Sequence, residues 1–191
     1  VTDLPKTDCV ELPWVGDVIH FWFEELGATR WFAKSREIDE QIRARFLQLH
    51  EQLVEQDGLG ISSPRSILAA VIVLDQFSRN MFRADARAFS ADPIARRLSR
   101  DAIARGFDKK LKDRNEKYFL YLPFEHSEDR KDQALAQRMI QQLGNDVWTR
   151  YAAMHLSIIE RFGRFPHRNE ALKRSSTAEE LAFLKGPANS F

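Results

Sequence analysis

Eight glycines, seven prolines and one cysteine among 191 residues leave little turn material and no disulfide. Scarce glycine and proline argue against a many-stranded sheet and for long helices joined by short connections. Cys9, alone in a polar stretch, fits a reducing compartment. Long hydrophobic runs are missing too: the longest fully apolar stretch, Ile67 to Leu74, falls far short of the ~18 residues a membrane span needs. The first residues lack a basic start followed by an apolar run, so the expectation is a cytoplasmic protein with no membrane contact. A large net charge is also absent, and the formal value of +1 argues against a general polyanion binder.

What is present is 43% hydrophobic and 11% aromatic content, enough for one substantial core. The chain reads as a single all-helical domain over 1–191, with 1–11 as an N-terminal tail. Its charge is unevenly spread: residues 1–60 carry a net −6 and residues 61–191 a net +7, so the two parts should attract each other. Ile38, Ile42, Phe46, Leu49 and Leu53 recur at helical spacing and predict an amphipathic helix over 37–56. Pro64 at a first turn opens a helix that is apolar on every side through Leu74, which places it in the middle of the core. A strand over Val71-Ile72-Val73 has no partner strand elsewhere. Further helices are predicted from Asp92 as cap with Pro93, over 114–126 with a bend at Pro123, from Ser127 as cap, from Asn145 or Asp146 to Gly163, and from a capping box within Ser176-Thr177-Ala178-Glu179-Glu180. The expected architecture is all-α, with eight or nine helices in antiparallel pairs. The aromatic segments Phe21-Trp22-Phe23 and Trp31-Phe32 read as core, or as pocket walls.

Three cassettes depart from simple amphipathic alternation: Leu74 to Asn80, Leu122 to Asp129, and Phe162 to Asn169. Charged groups flanked by large apolar residues are costly to bury unless paired, so each cassette implies a polar network, a ligand or both. All three fall at helix ends or bends, where backbone groups are left over. In the first, Asp75, Arg79 and Arg83 are spaced by four and on a continuing helix would form one charged ridge, whereas Asn80 as a terminator would make it a salt-bridged helix end. The sharper reading has Arg79 and Arg83 presenting donors to a carboxylate or phosphate; the plainer one is a salt-bridged helix end.

In the second cassette Glu125 and His126 are adjacent and point in different directions unless Pro123 swings them together. They either exchange protons or tie the bent backbone. In the third, Arg164, His167, Arg168 and Asn169 are displayed near the start of a short helix, where anions are attracted, or else they form an ordinary connection. With His155 on the preceding inner face, three of the five histidines gather here. Arg161, Arg164 and Arg168 nevertheless favour an anion over a metal ion. His155 by itself reads as a hydrogen-bonded core histidine. The basic stretch from Arg79 to Lys117 has too few aromatics for nucleic acid, and the acidic first third offers it an internal partner.

At Phe21-Trp22-Phe23, Trp31-Phe32, the three cassettes and Ser176 to Glu180, the chain resembles an uncharacterised bacterial family, domain of unknown function 924. Ser78 stands where that family's pattern has proline, which implies a less sharply bent first cassette. The resemblance implies a tetratricopeptide-like right-handed array of antiparallel helix pairs, and no established activity. The leading expectation is a small anionic or polar ligand in a groove shared by the cassettes, with Arg79, Arg164 and Arg168 as anion clamps, Asp75 and Glu125 as orienting carboxylates and His126 or His167 as proton carrier. A peptide- or protein-binding helical module is the alternative. No cofactor, metal or nucleic acid is expected.

Overall fold

The computed structural model describes residues 12–186, and its regular elements are all helical. They are α1 (Pro13–His20), α2 (Arg36–Glu55), α3 (Pro64–Val71), α4 (Ser78–Met81), α5 (Arg87–Ser90), α6 (Asp92–Ala104), α7 (Arg114–Glu125), α8 (Arg130–Gln141), α9 (Asp146–Phe162) and α10 (Ala178–Leu184). A widened π-helical turn, Phe21–Leu26, follows α1, and a second, Ile72–Phe77, joins α3 to α4 without a break. Asp108–Lys110 and Pro166–Arg168 are single 3₁₀ turns. Residues 1–11, read from the sequence as a tail and including Cys9, lie outside the described residues. No helix among those described is long and apolar enough to cross a membrane.

Local chemistry explains most helix starts. Ser35 caps α2 by accepting from Ile38 N, and Ile38, Ile42, Phe46 and Leu53 bury the predicted stripe. Ser63 and Ser66 close a reciprocal capping box ahead of Pro64. Asn145 and Thr177 cap α9 and α10 as their sequence suggests. Two expected caps are displaced. Ala91, not Asp92, precedes α6, so Asp92 lies in the first turn with its carboxylate engaged elsewhere. Asp129, not Ser127, caps α8, accepting from Lys131 N and Asp132 N.

The α3 segment and the turn after it are buried all round, as the unbroken apolar run requires. This central rod packs against α6, α7 and α1, while α7, α8 and α9 pack in succession. Trp22, Phe77 and Phe119 form the aromatic centre, with the Trp22 ring 5.4 Å from Phe77 and 5.3 Å from Phe119. Phe32 is the exception to the core reading: it is 59% exposed. The opposite charge of the two parts is realised in Asp39–Arg83, Glu51–Arg87 and Asp57–Arg97 pairs.

Candidate functional site

The three cassettes meet. Asp75 comes from the π-helical turn between α3 and α4, a backbone variant that is frequent at functional sites. Its carboxylate is fully buried and accepts from His126 Nδ1 at 2.9 Å and from Gln76 Nε2 at 2.6 Å. Arg79, one turn on, lies 3.2 Å from the same carboxylate and makes a two-pronged bond to Asp92, at 3.0 and 3.1 Å. Arg168, from the 3₁₀ turn of the third cassette, reaches Asp92 at 3.4 Å and donates to the His126 carbonyl at 2.9 Å. Its guanidinium thus closes the C-terminal end of α7, where carbonyls lack helical partners. The rings of Phe89 and Phe165 each lie 4.6 Å from that guanidinium.

Glu125 and His126 point apart, as adjacent helical residues must. His126 turns to Asp75, whereas Glu125 turns to His155, whose Nδ1 lies 3.0 Å from Glu125 Oε1 and 2.9 Å from the Tyr151 carbonyl. Two carboxyl–imidazole pairs therefore stand side by side, with the histidine rings 6.2 Å apart. The end of α7 is held by Gln133, which donates to the Glu125 and Ser127 carbonyls at 2.5 and 2.7 Å. Ser127 in turn donates to Asp132 at 2.9 Å, and Asp132 also pairs with Arg96 and Arg100.

Electrostatics set different roles for the two carboxyls. Burial disfavours ionisation of both. At Asp75 the charge of Arg79 and the His126 bond overcome burial, and the carboxyl stays well below its ordinary range. Glu125 has no cation at hand, so burial and the charge of Asp75 push it up to about 8. Glu125 is accordingly a neutral acid at pH 7. Burial lowers His126, although Asp75 opposes the shift, and it drives His155 down to about 3. Arg168 is lowered to about 10 by burial and by the charge of Arg79, yet stays protonated at neutral pH. Glu125 Oε2 and Arg168 Nε are buried without a hydrogen-bond partner.

Other expected site residues are placed elsewhere. Arg83 does not continue the Asp75–Arg79 ridge, because α4 ends at Met81; it binds Asp39 through two bonds, and Asn80 donates to the same carboxylate at 2.8 Å. Arg164, expected as an anion clamp, is held by Glu180 at 2.6 and 2.8 Å, and Asn169 donates to Ser176 at 3.0 Å and accepts from Arg174. His167 is exposed at the rim, its ring 5.5 Å from that of Phe165. A groove of about 870 Å³ lies away from the cassettes, bordered by Ser63, Arg65, Lys110 and Lys112 among others.

Three contributors escaped sequence reasoning. Asp92 reads locally as a helix cap, Glu128 falls in the second cassette without a site role of its own, and Arg174 carries no sequence signal. Glu128 in fact accepts from Phe165 N at 2.8 Å and from Arg174 at 2.8 and 2.9 Å, stapling the third cassette to the second. No local signal separates Asp92 from an ordinary helix cap; its place inside the first turn of α6, which frees its side chain, emerges only in the structure.

Comparison with known proteins agrees with this fold. The profile of a family described as bacterial proteins of unknown function, DUF924, matches residues 18–188. A solved structure of a protein of unknown function from Agrobacterium tumefaciens is similar with a TM-score of 0.84 and 38% identity, over 90% of this chain and 96% of that one. No curated protein matches.

Proposed function

The chain belongs to the bacterial DUF924 family, and from the geometry of its buried cluster we propose that it binds a small polar molecule carrying an anionic group, with His126 as the proton-exchanging side chain. The observation that carries this reading is the Asp75–His126 pair. A carboxylate with 1% side-chain exposure holds Nδ1 of a ring whose side chain is 15% exposed. Such a carboxylate fixes the tautomer and orientation of the imidazole and leaves Nε2 as the reactive atom. A purely structural network does not need an imidazole edge at the surface. The unpartnered Arg168 Nε and Glu125 Oε2 add a donor and a neutral acid to the same cluster. The guanidinium groups of Arg79 and Arg168 supply donors that suit an anionic group better than a cation.

The test is a thermal-shift panel of small carboxylates and phosphates against wild type, His126→Asn and Arg168→Met. A binder at about a hundredfold its Kd is expected to raise the wild-type Tm by about 5 °C or more, and to raise the variants much less. A panel without effect, or equal shifts in all three proteins, contradicts the reading. Capture of a peptide or protein is the second reading. It is favoured by one feature: Val147, Tyr151 and Met154, exposed at successive turns of α9.

A further inference from the structure

The charges of the cluster nearly cancel, and that has a consequence for any anion it receives. Arg79 and Arg168 are matched by Asp75 and Asp92, which lie within hydrogen-bond or ion-pair distance of them. Glu125, at its usual ionisation, would make the set negative, but it has no cation beside it and is buried. An arriving anion therefore meets arginines that already have carboxylate partners, in a site where an unbalanced charge is costly. One group can restore the balance without rearrangement. His126 keeps its Nδ1–H on Asp75 and has a partly exposed edge, so a second proton on Nε2 sits between the Asp75 carboxylate and the incoming charge.

We propose that this site binds an anion together with one proton, taken from solvent onto His126 Nε2. The proposal rests on the anion-binding reading above and adds its regulation by pH. The proton comes from water or buffer acid, the new bond is N–H, and nothing is oxidised or reduced. The groups facing His126 are Asp75 and Arg79 from the turn between α3 and α4 and its continuation, Asp92 from α6, His155 from α9, His167 and Arg168 from the 3₁₀ turn, and its neighbour Glu125. Of the imidazoles, His155 is a poorer acceptor of the proton: its Nδ1 is bound to the Tyr151 carbonyl and it lies deeper, beside His126 rather than at the surface. In the free protein burial holds His126 below its ordinary pKa, so at neutral pH the proton has to enter with the ligand.

The measurement is titration calorimetry with sulfate, whose charge is constant between about pH 6 and 9, in buffers of different ionisation heat. The expected result is uptake of about one proton per sulfate and about a tenfold loss of affinity per pH unit above neutrality. His126→Asn is expected to abolish both the uptake and the pH slope. Sulfate binding with no proton uptake, or uptake undiminished in the folded His126→Asn variant, overturns the proposal while leaving the binding site in place. Should that variant not fold, the wild-type comparison between buffers decides alone. Failure of both sulfate and succinate to bind at any pH removes the binding reading itself, and the proton linkage with it.

Discussion

Glu125 and Asp75 are both carboxyls buried to about the same degree, yet one is held neutral and the other charged, because only Asp75 has Arg79 within ion-pair distance. The difference can be read out as stability. A carboxyl raised in the folded state to about 8 binds its proton more tightly there than in the unfolded chain. Its contribution is therefore complete below the unfolded pKa and is lost as pH rises through about 8. Glu125→Gln keeps the shape and removes the titration. The variant is expected to gain stability over wild type as pH rises from about 5 to about 8, by at most about 1.4 kcal/mol per pH unit, and to level off above. Urea unfolding across that range checks it; a difference independent of pH contradicts the neutral-acid assignment.

Elements rather than residues decide which charges meet. The first turn of α6 delivers Asp92 between Arg79, on α4, and Arg168, on the 3₁₀ turn. Removing that carboxylate leaves the buried Arg168 guanidinium without its ion-pair partner and facing the half-buried Arg79. Asp92→Ala is expected to cost about 3 kcal/mol in chemical unfolding, against less than about 1 kcal/mol for an exposed pair such as Arg97–Asp57 probed by Arg97→Ala. Similar costs for the two would make the Asp92 junction an ordinary surface contact. The same junction marks where the sequence ceased to be readable. Ser35, Ser63, Asn145 and Thr177 announce their helices through bonds to residues two or three positions on, which is local information. Asp92 carried the same local signal, but its partners lie 13 and 76 residues away, and they outweighed it. The spacing of Asp75, Arg79 and Arg83 suggested one ridge, which was correct for the first pair. The break after Met81, one residue past the Asn80 read as a terminator, sent Arg83 to Asp39 on α2.

At the scale of the whole molecule, three segments separated by about 50 and 40 residues fold onto one charged, imidazole-bearing cluster, with α7 at its centre and α9 behind it. Their convergence was legible, because charge embedded among large apolar residues demands a partner. Their depth was not: the meeting point is a packed network in which the His126 ring is partly exposed and His167 lies at the rim, whereas the expectation was a groove, and the arginines named as clamps already carry carboxylates. Nuclear magnetic resonance of the histidine side-chain nitrogens during titration with succinate probes the cluster directly. His126 is expected to move toward its protonated signature with a saturable dependence, while exposed His20, beside Glu24 on α1 and its continuation, stays fixed. Saturable binding that leaves His126 unmoved, or that perturbs instead the groove beside Ser63 and Lys110, would contradict it.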